Sequence, residues 1–141
     1  MVTAVNDDGG GARSRVSRDH YDIETDPARG LIHFTLRGEW DDAVVDRFVT
    51  DYKPMAAAMD ATGGITHSLV DALSLGTLTE EVADRFPPII RAANPRPDKR
   101  TAIVIDGLTN RAQARNVAQM VNARFFTSLS AAQDWLFSSE L

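Results

Sequence analysis

Three histidines are the residues of this chain best suited to metal binding or proton transfer. His20, His33 and His67 are spread along the first half of the chain, and no two are as close as the ligands of a local zinc motif. His33 and His67 would meet only if the strands that carry them are neighbours in a sheet. Since no carboxylate is tied to them in sequence, the pattern favours ordinary strand histidines over a metal or catalytic site.

Hydrolytic and phosphate-binding chemistry have as little support in the sequence. The paired acids at residues 41–42 and 80–81 are explained as first-turn residues that face a helix dipole. The glycine runs at residues 9–11 and 63–64 do not lie between a strand and a helix, where a phosphate loop needs its glycines. The serines lack the alternate glycines of a nucleophile elbow. We therefore predict no catalytic residue, no metal site, no cofactor and no enzymatic activity.

Apolar side chains gathered around three prolines form another kind of candidate site. Pro54 falls inside one predicted helix and Pro87-Pro88 inside the next, and proline interrupts a helix because it lacks the amide hydrogen. Two interrupted helices on one face of a sheet can leave a groove for an apolar ligand; the alternative is that these side chains are simply core. The candidate groove residues are Trp40, Phe48, Tyr52, Met55, Phe86, Ile89 and Ile90.

Hydrophobic spacing predicts the elements that carry these residues. Alternation of apolar and polar residues predicts strands over residues 21–24 and 31–36, joined as a hairpin. Apolar residues at every third or fourth position predict a helix over residues 41–60. Pro54 predicts a kink or break of that helix near residues 50–53.

The rest of the chain continues in the same alternating manner. Short apolar runs predict buried strands over residues 69–73 and 101–105, and a last short strand precedes the final helix. Ser130 and Gln133 are predicted to form a capping box on that helix.

The predicted order of elements is ββαβαβαβα. Thr79 and Thr109 are predicted to cap the helices that follow the third and fourth strands. Alternating strands and helices form right-handed crossovers between parallel neighbours. We therefore predict an α/β fold with a mixed, mostly parallel sheet of about five strands and helices packed against it.

Composition is that of an ordinary globular protein. With 141 residues, of which 43% are hydrophobic and 25% charged, the chain can bury one core, and we predict a single domain over residues 19–141. Residues 1–18 are polar and rich in glycine, so we predict a flexible N-terminal tail there.

Charge and cysteine content restrict the compartment and the partners. The net charge of −5 opposes non-specific attraction to nucleic acid, and no apolar run approaches the length of about 18 residues that a membrane span requires. The sequence has no cysteine, which excludes thiol chemistry and favours a reducing cytoplasm. We therefore expect a cytoplasmic protein without a nucleic-acid partner and without stable membrane insertion.

Four segments carry a resemblance to a known family. Three are predicted strands, at residues 31–38, 69–73 and 101–106, and the most specific is RFFTSLSAAQDWL at residues 124–136. Over roughly residues 21–137 the chain resembles the SpoIIAA-like family. Its STAS-type fold is shared with anti-sigma factor antagonists and, more distantly, with CRAL-TRIO lipid-binding domains. The resemblance implies a SpoIIAA-like, STAS-like sandwich.

The resemblance also implies a regulatory hydroxyl group. In the antagonist branch, a partner kinase phosphorylates a serine after the central strand, at the start of the following helix, and this switches binding off. The matching stretch here reads LSLGT at residues 73–77, without the aspartate-serine-serine-glycine context of that branch. Ser74 and Thr77 are the nearest hydroxyls, and a phosphate there would lie near a helix N-terminus.

Two functions follow as expectations. The first is a non-enzymatic regulatory or protein-interaction module of the SpoIIAA-like type, which docks an unidentified protein partner on the face around the second helix; a homodimer is a separate expectation. The second is a binder of a small apolar or lipid-like ligand in the groove between the two proline-containing helices. The fold resemblance supports both by analogy.

Overall fold

Seven strands form one sheet in this computed structural model, which describes residues 2–5, 13–76, 78–86, 88–89, 99–105 and 123–138. The strands are β1 (Val2–Val5), β2 (Arg13–Ser17), β3 (Tyr21–Asp26), β4 (Leu31–Gly38), β5 (His67–Leu75), β6 (Arg100–Val104) and β7 (Ala123–Phe126). The described helices are α1 (Asp42–Asp60), α2 (Glu80–Ala83) and α3 (Leu129–Leu136), and a 3-10 turn spans Pro27–Arg29. The helix predicted after Thr109 lies outside these residues.

The strands lie in the sheet in their order along the chain. Neighbours from β1 to β4 are antiparallel, and neighbours from β4 to β7 are parallel. The mixed α/β sheet predicted from the sequence is therefore confirmed. It has seven strands where about five were predicted. Because the two additional strands are antiparallel, three of the six strand pairs are antiparallel.

Strand β2 corrects the prediction that residues 1–18 form a flexible tail. It pairs with β3, and Val16, opposite Ile23, is 1% exposed in the main core. The prediction failed because it weighed the average polarity of the segment, whereas a strand needs apolar residues only on the face that it buries. Arg13 and Arg15 lie on the other face and pair with acids of β3. The sheet therefore extends to the N-terminal side of the predicted boundary at residue 19.

Helix α1 packs its apolar stripe against one face of the sheet. Asp41 caps the helix, since its Oδ1 accepts a hydrogen bond from the Val44 amide at 2.9 Å. Of the kink or break predicted near residues 50–53, the break does not occur, since the helix continues through Pro54. Pro54 is exposed, so it removes one helix hydrogen bond while the stripe on the buried side still holds the helix in place. The stripe consists of Val44, Val45, Phe48, Tyr52, Met55 and Met59.

Phe48 is the centre of an aromatic cluster that joins α1 to the sheet. Its ring centroid lies 5.2 Å from that of Tyr21, 5.4 Å from those of Phe34 and Trp40, and 6.2 Å from that of Tyr52. Tilted and edge-on pairs at such distances are favourable beyond the area that they bury. The cluster connects β3, β4 and α1, so it fixes the helix over the antiparallel half of the sheet.

The carboxylate of Asp51 ties the same helix to the start of β3. Tyr21 donates its hydroxyl hydrogen to Asp51 at 2.6 Å, and Arg18 donates two hydrogen bonds to the same carboxylate at 2.9 and 3.1 Å. The hydrogen bond from Arg18 lowers the pKa of Asp51, and that from Tyr21 acts in the same direction. Burial, with the Asp51 charge beside it, raises the pKa of Tyr21. Asp51 therefore stays ionised and Tyr21 stays protonated at neutral pH, as the hydrogen bond between them requires.

The caps of the two shorter helices match the sequence predictions only in part. Thr79 accepts a hydrogen bond from the Val82 amide at 3.2 Å, as predicted, but α2 ends after one turn. The cap of α3 is Ser128, whose hydroxyl oxygen accepts from the Ala131 amide at 3.3 Å, and not Ser130. Ser128 has the extended backbone of an N-cap, whereas Ser130 is already inside the helix.

Helices α1 and α3 cover opposite faces of different parts of the sheet. Helix α3 packs on Leu69 of β5 and on Ala102 and Val104 of β6, with Leu31 of β4 at its margin. On that same face, none of the described helices covers β2 and β3, and the side chains there are charged. We call this the charged half-face of the sheet; its arginines, Arg13 and Arg15, are about half exposed. No described helix has both the length and the apolar character that crossing a membrane requires.

Replacing Val16 by alanine tests whether β2 belongs to the folded core. Loss of two methyl groups from a fully buried side chain should lower the free energy of unfolding by about 1–3 kcal/mol, measured by urea denaturation. Arg15→Ala is the control, because Arg15 forms only surface ion pairs and its loss should cost less than about 1 kcal/mol. Equally small effects of the two substitutions would show that β2 does not pack as described.

Candidate functional site

Of the residues predicted to line an apolar groove, the structure places some in the core and others at a groove. Trp40, Phe48 and Met55 are buried in the main core, so their side chains hold the fold together and do not face a groove. Phe86 packs on Trp40 with ring centroids 5.6 Å apart. Tyr52 and Ile89 do line a groove. Ile90 lies outside the described part of the chain.

The groove runs along the side of α1 that faces residues 88–89. Its volume is about 420 Å³, within the range of small-molecule sites. The helix contributes residues at intervals of three and four, which is the spacing of one helix face. The wall is mostly apolar, with one hydroxyl, one cation and one carboxylate. The lining residues are Val49, Tyr52, Lys53, Ala56, Ala57, Asp60, Pro88 and Ile89.

Tyr52 is the polar side chain that reaches from the core into this groove. Its ring stacks on Phe48 and contacts Phe34 at 5.6 Å, so its position is fixed. Burial raises its pKa to about 12, and the nearby charge of Asp60 acts in the same direction. The hydroxyl has no hydrogen-bond partner among the described residues. At neutral pH it therefore offers a hydrogen-bond donor to whatever occupies the groove.

A second polar region lies on the charged half-face of the sheet, where arginines of β2 and β4 lie beside acidic residues of β3. Arg37 lies 3.1 Å from a carboxylate oxygen of Asp22, and Arg15 lies 3.4 Å from the same residue and 3.7 Å from Glu24. The hydrogen bonds from Arg37 lower the pKa of Asp22, and a hydrogen bond from Ser17 adds to this. These ion pairs connect the side chains of β2, β3 and β4 across one face of the sheet.

His33 is the half-buried histidine of this face. Its Nδ1 lies 3.7 Å from Glu24 on the neighbouring strand. Burial lowers the pKa of His33, and the charges of Glu24, Asp71 and Asp22 oppose that shift without cancelling it. The contact with Glu24 is therefore one between a neutral imidazole and a carboxylate at neutral pH, and not an ion pair.

The other histidines do not join His33 in a metal site. His67 lies on β5, next to β4, but its register partner is Leu31, and its ring stacks on Phe137 at a centroid distance of 4.7 Å. The hydroxyl oxygen of Thr66 lies 2.8 Å from His67 Nδ1, within hydrogen-bond distance. Within the described ranges, no three histidines, aspartates or glutamates converge on a position that suits a metal ion.

Ser74 and Thr77 were proposed from the resemblance as hydroxyls near a helix start. The structure places Ser74 inside β5, exposed and opposite Arg37 of β4, whereas α2 begins only at Glu80. Glu39 lies against Gly76, since a side chain added there would meet its carboxylate at 2.9 Å. A phosphate in this turn would therefore face a carboxylate. Thr77 lies outside the residues that the structure describes.

Sequence reasoning did not pick out the charged residues of β2 and β3. The available signal was the alternation of Arg13 and Arg15, and of Asp22, Glu24 and Asp26, which places like charges on one face of each strand. The oppositely charged faces become neighbours only through strand pairing.

Comparison with known proteins identifies the fold. No family model matches the sequence, and no curated protein matches it. Among solved structures, the chain is similar to the crystal structure of an uncharacterized protein of the DUF3478 family, with a SpoIIAA-like fold, from Shewanella loihica PV-4. The TM-score is 0.53 and the sequence identity 20%, over 86% of this chain and 98% of that one. The SpoIIAA-like fold predicted from the sequence is thereby confirmed.

The pKa of His33 predicts how stability depends on pH. Because the folded protein holds this pKa below the ordinary value of 6.5, the unfolded chain binds a proton first as the pH falls. The free energy of unfolding should therefore decrease as the pH falls below 6.5. His67 has a pKa lowered by burial and by Arg100 and contributes in the same direction.

The variant His33→Gln isolates the contribution of this side chain. Urea unfolding between pH 8 and pH 5 (roughly the range over which a histidine titrates) should show a shallower loss of stability in the variant than in the original protein. Above the pKa of an unfolded histidine the difference between the two proteins should be constant. Parallel curves over the whole range would contradict the assignment.

Proposed function

We propose that this protein is a non-enzymatic interaction module of the SpoIIAA-like type, which binds a protein partner through the groove beside α1. The observation that carries the proposal is that groove, which has a volume of about 420 Å³ and a mostly apolar wall. The fold likeness is compatible with such a role but does not assign it. The cytoplasm is the proposed compartment, in line with the absence of cysteine.

The shape of the groove favours a macromolecular partner. It follows α1 from Val49 to Asp60, a distance of about 16 Å at the rise of an α-helix. Ala57 in its middle is exposed, and Ala56 beside it is half-buried. Small side chains at this point let the backbone of a second segment approach closely. An apolar strip with a cation and a carboxylate on its rim is the form in which amphipathic segments are commonly bound.

The chemical groups around the groove support binding more than catalysis. Tyr52, Lys53 and Asp60 are its polar side chains. Among the residues that the structure describes, none of the three is paired with a base or acid in the manner of an activated nucleophile. The pKa of Tyr52 is moved away from neutrality, to about 12, whereas a general base works best near the ambient pH. A non-enzymatic role is therefore part of the proposal.

A small apolar or lipid-like ligand is the second candidate for the same groove. The volume of the groove suits it, and the Tyr52 hydroxyl, without a partner among the described residues, offers one oriented donor for its polar end. The two candidates differ in the mass of the molecule that occupies the groove.

Site-specific photo-crosslinking in the native cell distinguishes them. A benzophenone amino acid at Ala57 should give an adduct of one discrete protein mass, whereas the same amino acid at the exposed Arg15, on the opposite face, should not. Adding Ala56→Asp should reduce the Ala57 adduct at least tenfold, because it places a charge on the apolar strip. Circular dichroism and thermal melting check that each variant folds.

The mass of the adduct decides between the remaining possibilities. A mass gain of one small molecule would replace the protein partner by the apolar ligand, and an adduct of twice the chain mass would identify a homodimer. Equal adducts from Ala57 and Arg15, or an adduct that Ala56→Asp leaves unchanged, would contradict the groove as the binding site.

A further inference from the structure

Three parallel strands bring basic residues together beside the C-terminal end of α3. Leu69 of β5 and Ala102 of β6 pack under this helix. His67 and Arg100 stand two positions earlier on the same two strands and are register partners, so the alternation of side chains places both on the face that α3 covers. Arg124 of β7 is the register partner of Ala102. Two arginines and a histidine therefore meet on one face of the sheet.

Three arginines lie against aromatic rings at the end of α3. The guanidinium carbon of Arg29, in the turn before β4, lies 3.9 Å from the ring centroid of Phe137. Those of Arg100 and Arg124 lie 5.4 and 5.3 Å from the centroid of the Trp135 ring. Phe137 is the C-cap residue of α3 and is 37% exposed. We call these five residues the arginine-aromatic surface.

Arg29 and Arg124 are the exposed arginines of this surface. Neither forms an ion pair or donates a hydrogen bond to a described residue. A guanidinium group that lies on a ring keeps N–H groups for a carboxylate, and the contact with the ring reduces the freedom that the side chain would lose on binding. Arg100 is engaged, because its Nη1 donates to the carbonyl oxygens of Trp135 and Ser138 at 2.8 and 3.0 Å.

Positive charge exceeds negative charge around this surface. Asp134 is the carboxylate of α3, and Asp26, before the turn that carries Arg29, is already paired with Arg13 at 3.6 Å. Glu140 follows in the sequence, outside the described residues. The pKa of His67 is lowered by burial and by the charges of two arginines of the surface. The field of those two arginines therefore reaches the same point, and an anion is the ligand that it attracts.

The chemistry of the surface favours a peptide over a nucleic acid. Guanidinium groups suit carboxylates and phosphates alike. A base would need an open ring face on which to stack, but guanidinium groups already lie on Phe137 and Trp135, and the His67 ring stacks on Phe137 at a centroid distance of 4.7 Å. The net charge of −5 also repels an extended polyanion. An exposed apolar ring among cations suits a ligand with both carboxylates and apolar side chains.

We propose that the arginine-aromatic surface binds an acidic segment of a partner protein. Arg29 and Arg124 hold carboxylates of that segment, and the exposed ring of Phe137 contacts an apolar side chain between them. Arginine and tryptophan are enriched among the residues that contribute most to protein interfaces. Because α3 and α1 cover opposite faces of the sheet, this surface is separate from the α1 groove. The two proposals therefore fail or succeed independently.

Fluorescence anisotropy of a labelled peptide that alternates glutamate and leucine tests the proposal on the full chain. The peptide should bind saturably, and its counterpart with glutamine in place of glutamate should not bind. Affinity should fall between roughly 50 and 500 mM salt, because exposed charges are screened. Oligothymidine that competes more strongly than the unlabelled peptide would identify a nucleic acid as the ligand. Inorganic phosphate that competes as strongly as the peptide would identify a simple anion site, and either result would overturn the proposal.

Substitution of the two exposed arginines locates the binding. Arg29→Gln and Arg124→Gln should each weaken peptide binding about fivefold, the upper range for an exposed ion pair. Arg124→Lys should also weaken it, because lysine keeps the charge but lacks the planar guanidinium group. Arg47→Gln is the matched control, since Arg47 is an exposed arginine of α1, and it should leave the affinity unchanged.

Circular dichroism and thermal melting check that each variant folds. Three results would contradict binding at this surface: no saturable binding of the peptide, unchanged affinity in both glutamine variants, or equal weakening in the Arg47→Gln control. Full affinity in Arg124→Lys would contradict recognition by the guanidinium group.

Discussion

The packing of α1 on the antiparallel half of the sheet is the contact on which the rest of this structure depends. Phe48 contacts four other rings, from β3, β4, α1 and the loop before α1. Truncation of such a side chain typically costs about 3–5 kcal/mol, a large part of the stability of a small domain. The Asp51 carboxylate, held by Tyr21 and Arg18, orients the same helix from its polar side. With α1 fixed in this way, its remaining side is free to form the groove.

The offset of α1 and α3 explains why the two faces of the sheet differ in chemistry. Helix α1 covers one face of the antiparallel strands, and α3 covers the other face of the parallel strands. The groove lies beside α1 and is apolar because it continues the helix's own buried stripe. The charged half-face lies where α3 does not reach, and its arginines are about half exposed while their acidic partners Asp22 and Asp26 are largely buried. The two surfaces differ in chemistry because burial differs on the two sides of the same strands.

Function is less constrained than fold in this protein. A likeness at 20% identity establishes the SpoIIAA-like architecture, and many different activities are built on any common fold. The side chains of the groove beside α1 are the ones most directly open to test. Tyr52 offers a hydrogen-bond donor there, which calls for a partner with a complementary acceptor.

The sequence by itself determined the strands from β3 to β7, the long helix and the cap at Thr79, because apolar spacing and capping are properties of adjacent residues. The SpoIIAA-like fold followed from the resemblance of four segments and not from spacing. The sequence did not reveal β2, since one buried valine in a polar segment acquires meaning only when a neighbouring strand pairs with it. It also named Trp40 and Phe48 as groove residues when they are core. Spacing shows that a side chain is apolar and on a given face, but only the tertiary structure decides whether another element covers that face.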